Sequence, residues 1–213
     1  MPRIFKCGNL EERADGLREA ANTVRHGLLA VLPTDTVYGI AADAFTPSAV
    51  DALLAAKRRG RDMPVPVLVD SRRMLEGVAL LPAAGHKLAD AFWPGALTLV
   101  LRHTPALAWD LGDSRGTVAV RMPLHPVALD LIAATGPLAV SSANLSGSPP
   151  AISVAEAQAA FGDDVDVYLD AGPCAEPVPS TIVDLTDDVP TVLRAGAIDA
   201  SSLADVCPEV VIG

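Results

Sequence analysis

Five short segments of the sequence carry polar or charged side chains where predicted strands or helices begin or end. They are PTDTVYG (33–39), KRRGRDMP (57–64), VRMPLHP (120–126), SSANLSG (141–147) and PSTIVDL (179–185). Open α/β sheets build their binding sites at such strand ends. Arg121 stands out, because an arginine on an otherwise apolar strand must meet a carboxylate, a phosphate or water when it is buried. The segments therefore predict a polar ligand site.

The densest basic cluster of the chain follows a predicted helix and comprises Lys57, Arg58, Arg59 and Arg61. This cluster suits a small polyanion such as a nucleotide, whereas a long duplex needs an extended basic face. Taken singly, each segment also has a plainer interpretation. Thr34 and Asp35 fit a turn or cap, the cluster fits a solvated helix end, and SSAN fits a turn.

The familiar catalytic signatures do not occur in the sequence. It contains no GxxxxGK[ST] phosphate loop, no GxGxxG, no HExxH and no GxSxG. The four histidines have no ligand spacing, so we predict no metal site built from protein side chains. The three cysteines, Cys7, Cys174 and Cys207, are far apart and are interpreted as reduced thiols.

Length and composition favour one globular unit. A chain of 213 residues of which 50% are apolar can bury one sizeable core, so we predict a single domain over 1–213. No apolar stretch approaches the roughly 20 residues that span a bilayer, and charges occupy the place of a signal peptide's apolar segment. The expected location is therefore cytoplasmic.

The net charge of −10 is distributed unevenly along the chain. Residues 151–213 contain twelve acidic residues and a single basic one, Arg194, whereas basic and acidic residues nearly balance in residues 1–150. The acidity of the chain thus belongs to its C-terminal third. It does not exclude a nucleotide site in the rest.

Hydrophobic periodicity and capping residues predict alternating helices and strands. Asn9 and Glu12 form a capping box for a first helix that ends at Gly27, and Thr46–Pro47 opens a second. Further helices are predicted over 83–92, 126–135, 153–161 and 199–206. Strands are predicted over 28–33, 65–69, 96–101, 117–122, 137–142, 165–170, 181–185 and 191–194.

Some of these strands follow one another without a helix, which predicts a mixed rather than a strictly parallel sheet, with helices packed on it. Pro66 cannot donate to a sheet ladder, so its strand is predicted to lie at an edge or a bulge. The segment AGPCAEPVPS over 171–180 is predicted to be a long irregular loop.

Seven segments, in this order, resemble those of the YrdC-like family of threonylcarbamoyl-AMP synthases. They are PTDTVYG, the Lys57-x-Arg59 pair, AFWPGALTLVL, TVAVRMPLHP, SSANLSG, STIVDL and VLRAG, and the resemblance runs from about residue 10 to residue 200. It implies an α/β fold with an open twisted mixed sheet, in the short form of the family with one domain. It also implies that L-threonine, bicarbonate and ATP react to give threonylcarbamoyl-AMP and pyrophosphate, for modification of adenosine 37 in tRNA.

The resemblance assigns roles to individual residues. The residues implied to bind ATP are Lys57, Arg59, Thr117, Ser142, Asn144 and Arg194. Of these, Lys57 and Arg59 should also serve catalysis by neutralising charge on the phosphates, because both nucleophiles of the reaction belong to substrates. The residues implied to bind threonine are Thr34, Arg121, Val140 and Ser180. Magnesium is expected to arrive with ATP.

Three positions depart from the commoner family pattern. Met63 stands where many relatives have asparagine, Leu68 stands where some have histidine, and VLRAG replaces Arg-Pro-Gly. Backbone groups or water are expected to replace the contacts that Met63 and Leu68 lack.

The resemblance further implies a downstream threonylcarbamoyl-transferase complex as partner, with indirect or weak tRNA contact, and a monomer is the default. Two alternatives stay open: carbamoyl transfer in hydrogenase maturation, and a non-catalytic RNA-binding module.

Overall fold

The computed structural model describes residues 1–175 and 177–213. The α-helices of these residues are α1 Leu10–Arg25, α2 Pro47–Ala56, α3 Arg72–Val78, α4 Ala83–Phe92, α5 Pro126–Thr135, α6 Val154–Phe161 and α7 Ala200–Val206. Their strands are β1 Arg3–Lys6, β2 Ala30–Leu32, β3 Gly39–Asp43, β4 Val67–Leu68, β5 Ala79–Leu80, β6 Leu97–His103, β7 Thr117–Arg121, β8 Leu138–Ser142, β9 Val167–Asp170, β10 Thr181–Asp184, β11 Thr191–Arg194 and β12 Val211–Ile212.

The strands form one mixed sheet. Its order is β1-β9-β2-β3-β8-β4-β7-β6-β10-β11-β12, and β5 pairs with β6 outside this path. The sheet contains both parallel pairs, such as β6 with β10, and antiparallel pairs, such as β6 with β7. The predicted α/β architecture with a mixed sheet is confirmed.

The predicted position of Pro66 is wrong. β4 lies inside the sheet, parallel to β7 and antiparallel to β8. Pro66 precedes the strand's first residue, Val67, and its carbonyl accepts a hydrogen bond from Val140 N at 2.8 Å. A proline at that point costs the ladder no donor.

Four strands and one helix were not predicted, namely β1, β3, β5, β12 and α3. β3, with the sequence GIAAD, was missed because it is composed mostly of small residues and is buried on both faces, so it shows no alternation. It nevertheless pairs with both β2 and β8. The predicted loop over 171–180 contains Glu176, which lies outside the described residues.

The capping prediction for α1 is half correct. The Asn9 side chain accepts from the backbone N–H groups of Glu11 and Glu12, as an N-cap does. The Glu12 carboxylate, however, accepts from Lys6 N at 2.7 Å and not from Asn9 N. Along the part of the chain that the structure describes, no helix is long and apolar enough to cross a membrane.

Helices cover the two faces of the sheet unequally. On one face the core is completed by α2, α3, α4, α6 and α7, whose buried residues include Leu53, Leu75 and Phe161. On the opposite face α1 and α5 pack over strands β9, β2, β3, β8 and β4. Among the described residues, β7, β6, β10 and β11 contribute nothing to that second core. This leaves the α1/α5 face of these strands for another use.

Candidate active site

A cavity of about 230 Å³ occupies the part of the sheet face that α1 and α5 leave uncovered. Its floor is a row of side chains, one from each of five neighbouring strands. In sheet order these are Leu68, Arg121, Thr98, Ile182 and Arg194. Strand register explains the row, because it pairs Leu68 with Arg121, Thr98 with Ile182, and Ile182 with Arg194. Thr98 faces Arg121 because it continues the register that pairs Leu99 with Val120.

A β-bulge determines which way Arg194 points. The register of β10 with β11 shifts between Ile182 and Val183, so that Val183 pairs with Val192 while Ile182 pairs with Arg194. Leu193 is skipped and lies exposed. Because side chains alternate along a strand, regular pairing would put Arg194 on the same face as the buried Val192. The bulge instead turns the guanidinium into the cavity.

Arg121 is buried, with 7% exposure, and each of its side-chain nitrogens is anchored once. Nε donates to Gly95 O at 3.0 Å, Nη1 to Thr36 Oγ1 at 2.8 Å and Nη2 to Asp35 Oδ1 at 2.6 Å. A guanidinium has five N–H groups, so one remains on each terminal nitrogen. Burial lowers the pKa of Arg121 and the Asp35 carboxylate acts in the opposite direction. This unused pair of donors matches the two oxygens of a carboxylate.

Arg59 reaches the cavity from the end of α2. Its three hydrogen bonds run to Met63 O at 2.8 Å, Pro64 O at 3.1 Å and Ser141 Oγ at 3.1 Å. Burial lowers its pKa, with Asp62 acting in the opposite direction, although an arginine remains charged in a protein. The Met63 carbonyl thus anchors Arg59, and the replacement of ligand contacts at Met63 by backbone or water stays a prediction.

Arg194 is held by the residue that precedes β10. Its Nε and Nη2 donate to Ser180 O at 3.1 and 2.7 Å, and Nη2 also contacts Ser180 Oγ at 3.1 Å. Ser180 Oγ in turn lies 2.8 Å from the buried hydroxyl of Thr98. Among the described residues, Nη1 of Arg194 has no hydrogen-bond partner. Its two N–H groups are therefore available to a ligand.

The cavity is an anion site by its electrostatics. Its described lining residues include three guanidinium groups, from Arg59, Arg121 and Arg194, and no carboxylate. Asp35 neutralises only the far side of Arg121. A second cavity, of about 360 Å³, lies beyond Thr34 and Tyr38, but its described lining includes Asp35 and His125 and no arginine. The first cavity is thus the better match to the predicted site.

Lys57 lies beside the cavity and does not line it. Its side chain is 2% exposed, and Nζ donates to Ser142 O at 2.5 Å and to Asn144 O at 2.7 Å. Ser146 N also donates to Lys57 O at 2.9 Å. Burial lowers the pKa of Lys57 to about 8, and nearby Arg59 acts in the same direction. Lys57 therefore ties the SSANLSG segment to the end of α2, with one ammonium N–H left over.

We expect Lys57 to make the protein more stable in mild alkali. Its pKa falls from 10.5 to about 8 on folding, so between these values the unfolded chain keeps a proton that the folded protein has released. The contribution of Lys57 to the free energy of unfolding should then rise with pH across this window, by up to about 3 kcal/mol, and be flat below it. Because burial raises the pKa of Cys7 to about 11, which acts in the opposite direction, this contribution is the difference between wild type and Lys57→Met. Urea unfolding of wild type and Lys57→Met below pH 8 and near pH 10.5 measures this.

The Lys57→Met variant should lack this rise, since methionine does not titrate. Lys87→Met is the matched control, because Lys87 is exposed and pairs with Glu209 at 3.8 Å. A rise of equal size in wild type and Lys57→Met would contradict the assignment.

The structure brings seven of the predicted site residues together on the cavity wall. They are Thr34, Arg59, Arg121, Val140, Ser142, Ser180 and Arg194. Tyr38 also lines it, and its hydroxyl donates to Gly172 O at 2.6 Å. Thr117 stands four residues before Arg121, at the other end of β7, about 13 Å away. Asn144 uses its amide nitrogen on Leu145 O and Ser148 O, and its buried Oδ1 has no partner in the described residues.

Four polar residues at the site were not predicted to bind ligand: Asp35, Thr36, Thr98 and Ser141. Asp35 and Thr36 lie in PTDTVYG, which also fits an ordinary turn. Thr98 is a single polar residue in an otherwise apolar strand. The alternation in LTLVL could have identified Thr98, because it places the Thr98 side chain on the face of the strand opposite to that of the buried Leu97 and Leu99. Leu68 lines the cavity beside Arg121 and gives it an apolar wall. Arg61 pairs with Asp51 and Asp110 instead.

Comparison with known proteins places the chain among characterised folds. A family model described as Sua5_yciO_yrdC, Telomere recombination, matches residues 22–196. A Mycobacterium leprae protein provisionally named threonylcarbamoyl-AMP synthase is 54% identical over 207 residues, which cover 97% of this chain and 94% of that protein. The Pyrococcus abyssi threonylcarbamoyl-AMP synthase is 37% identical, with 95% of this chain and 61% of that protein covered. The crystal structure of P. abyssi Sua5 complexed with L-threonine superposes with a TM-score of 0.93 at 35% identity, covering 100% of this chain and 62% of that one.

Proposed function

The chain belongs to the Sua5/YciO/YrdC family, and on that basis we propose that it is an L-threonylcarbamoyladenylate synthase. The amine of L-threonine combines with bicarbonate to give a carbamate and water. A carbamate oxygen then attacks the α-phosphorus of ATP, and pyrophosphate leaves. The products are threonylcarbamoyl-AMP, for the modification of adenosine 37 in tRNA, and pyrophosphate.

The observation that carries this proposal is the cavity wall with three guanidinium groups and no carboxylate among its described residues. Arg121 and Arg194 lie on the same floor, and their Cα atoms are separated by three strand spacings, or about 14 Å. A ligand that bears a carboxylate at one end and a phosphate at the other fits this spacing. Threonylcarbamoyl-AMP is such a ligand, whereas a nucleotide alone would leave Arg121 unmatched.

We assign a ligand group to each arginine by its surroundings. Arg121, buried and with a pair of free N–H groups, receives the threonine carboxylate, as an arginine fork does. Val140 and Leu68, on the neighbouring strands β8 and β4, give this part of the cavity an apolar wall, and Ser180 lies on the Arg194 side with its Oγ 2.8 Å from Thr98 Oγ1. Arg59, on the β8 side of the cavity with Ser142, and Arg194, on the β11 side, are nearer to solvent and bind phosphate groups. The Sua5 structure with L-threonine supports threonine as the substrate of this fold.

In this proposal the protein acts by positioning and by charge, and the enzyme is a nucleotidyltransferase. Both nucleophiles belong to substrates, so no protein nucleophile is needed. Arginine and lysine N–H groups stabilise the charge that develops on the phosphates. Magnesium accompanies ATP and is coordinated mainly by phosphate oxygens.

The test is pyrophosphate release by the purified protein with ATP, magnesium and bicarbonate. We expect release with L-threonine, and much less with L-serine, with glycine or without an amino acid. Omitting bicarbonate should also abolish it. Absence of release under every combination, from a protein shown to be folded, would contradict the proposal. Retention of tRNA in a filter-binding assay that does not depend on ATP would then favour the RNA-binding module.

Several further properties follow from the proposal. The chain acts as a single YrdC-like domain, which its one continuous sheet supports. It works in the cytoplasm as a monomer, passes its product to a threonylcarbamoyl-transferase complex and contacts tRNA only weakly or indirectly. Thr117, Asn144 and Lys57 bind ATP only if the nucleotide extends beyond the cavity wall. The relatives named threonylcarbamoyl-AMP synthase favour this activity over carbamoyl transfer in hydrogenase maturation.

A further inference from the structure

Arg58 is the member of the basic cluster after α2 that has no role in the function proposed above. In this cluster Lys57 holds the SSANLSG segment, Arg59 reaches the cavity and Arg61 pairs with two aspartates. Arg58 is exposed, and its guanidinium makes no hydrogen bond and no ion pair with the described residues. Its positive charge is therefore available to an anion.

The backbone of Arg58 adopts a conformation that usually requires glycine. Its φ is 52°, and Arg115 is the other non-glycine residue of the described chain with a positive φ. At the end of α2, Arg58 N donates to Ala55 O at 2.9 Å. The next N–H, that of Arg59, donates to Leu54 O, also at 2.9 Å. Helices that end in this way have a left-handed residue at this point, most often glycine, so an arginine here lowers stability relative to glycine.

The left-handed turn allows Lys57 and Arg59 to reach the same segment. Lys57 Nζ contacts two carbonyls of SSANLSG, and Arg59 Nη1 contacts Ser141 Oγ at 3.1 Å. If α2 continued through residue 58, the two side chains would point about 200° apart around the helix axis. Glycine at position 58 would make the same turn with less strain. The turn therefore does not explain the arginine.

Arg58 lies beside the part of the site that is outside the cavity wall. The peptide group that joins it to Lys57 is held by SSANLSG, since Ser146 N donates to Lys57 O at 2.9 Å. Arg59 lines the cavity, whereas Lys57 and Arg58 do not. In an in-line displacement the leaving group lies on the side of the phosphorus away from the nucleophile. Because the carbamate is inside the cavity, the pyrophosphate extends out of it.

Resting on the proposed function, we propose that Arg58 binds the β- and γ-phosphates of ATP, which leave as pyrophosphate. Its guanidinium adds a positive charge beside the third N–H of Lys57, where the phosphates emerge from the cavity. The strained backbone keeps a cation at this position where glycine would make the turn more easily. Arg58 thus binds the leaving group, and the arginines of the cavity wall bind the rest of the substrate.

The first test is calorimetric titration of inorganic pyrophosphate, ATP and AMP, each with magnesium, into wild type, Arg58→Gly and Arg58→Lys. We expect Arg58→Gly to weaken the binding of pyrophosphate and of ATP by roughly 10-fold. Binding of AMP, which carries only the phosphate that reacts, should stay nearly unchanged. Arg58→Lys keeps a cation and should retain most of the affinity. Equal affinity of wild type and Arg58→Gly for pyrophosphate, or an equal loss for AMP, would overturn the proposal.

A second measurement separates a ligand-binding role from a structural one. Arg58→Gly relieves the left-handed strain, so its unfolding midpoint without ligand should rise by about 2 to 4 °C. Weaker pyrophosphate binding by a more stable variant would not be due to unfolding. A lower midpoint in Arg58→Gly would make the arginine structural and contradict the proposal.

Arg115→Gly is the matched control. Arg115 is also exposed, with a φ of 50°, but it lies in the connection between β6 and β7. We expect this variant to gain similar stability and to keep its affinity for pyrophosphate. An equal loss of affinity in Arg115→Gly and Arg58→Gly would show a general attraction to basic surface and overturn the specific role of Arg58.

These titrations need neither threonine nor turnover, so they separate this inference from the proposed function. A wild type that binds pyrophosphate and ATP, but releases no pyrophosphate with L-threonine and bicarbonate, would contradict the proposed function alone.

Discussion

Replacing Arg121 with alanine is expected to reduce threonine-dependent pyrophosphate release by about 100-fold or more at low threonine concentration. The variant loses the fork that receives the substrate carboxylate, at a cost on the order of 2 to 5 kcal/mol for a desolvated pair. ATP binding should change much less, since Arg59 and Arg194 remain. Initial rates over a range of threonine and ATP concentrations separate the two effects.

Part of the loss in Arg121→Ala will reflect Asp35. Its carboxylate lies 2.6 Å from Arg121 and accepts also from Leu124 N, so the variant leaves this partly buried group, with 14% exposure, without its cation. Removing one partner of a buried pair costs on the order of 3 to 5 kcal/mol of stability, so the unfolding midpoint must be measured in parallel. Arg102→Ala, an exposed arginine on β6 that donates to Thr186 O, is the control. If a folded Arg121→Ala lost ATP and threonine binding equally, the assignment of Arg121 would be wrong.

Replacing Lys57 with methionine is expected to lower the rate of adenylate formation by roughly 100-fold, with threonine affinity little changed. Removal of one preorganised donor from a developing oxyanion costs about this much. Nζ already serves the carbonyls of Ser142 and Asn144, so only its third N–H can reach a phosphate. Single-turnover pyrophosphate release at saturating ATP and threonine isolates this step.

Methionine is the informative substitution because it preserves the buried volume. Lys57→Met removes an unfavourably buried charge but also the donors to Ser142 O and Asn144 O, so its unfolding midpoint is measured in parallel and must match that of wild type near neutral pH. An activity loss then cannot be attributed to unfolding. Full activity in Lys57→Met would mean that Lys57 only anchors the SSANLSG segment, while Lys87→Met should be unaffected in either case.

The sequence predicted those parts of the fold whose residues show a clear period or cap. α1 and α5 follow from their apolar spacing and from their caps, and β6 and β7 follow from apolar alternation. Short strands of small residues were not predicted. In β3, for example, there is no polar face, so polar and apolar residues do not alternate. The prediction for Pro66 was wrong for a different reason. The rule that places a proline at a sheet edge depends on its missing N–H donor, and Pro66 lies just before the first residue of β4, outside the ladder.

For the site, single residues were predicted better than their connections. Arg121 could be identified because a charge on an apolar strand needs a partner, but its partner Asp35 is 86 residues away in the chain. The row from Leu68 to Arg194 depends on strand register, which no local pattern specifies. Thr36 was hidden in a segment that a turn explains equally well. Hydrogen-bond direction within that segment emerges only when all its atoms are placed.

The charge of the cavity also contrasts with that of the whole chain. The net charge of −10 would suggest poor anion binding, yet three arginines meet where the described wall offers no acid. Arg194 is the only basic residue among residues 151–213, and it is the one that enters the cavity. Average charge is therefore a weak guide to what a partly enclosed site attracts.

The bulge in β11 makes the site tolerant of a change in chain length. Skipping Leu193 pairs Arg194 with Ile182. Deleting Leu193 would straighten the strand, and ordinary pairing would then bring the arginine to the same partner on the same face of the sheet. A homologue one residue shorter at this point can keep its arginine in the cavity. An alignment gap beside this arginine is therefore no sign that the cavity has lost its third cation.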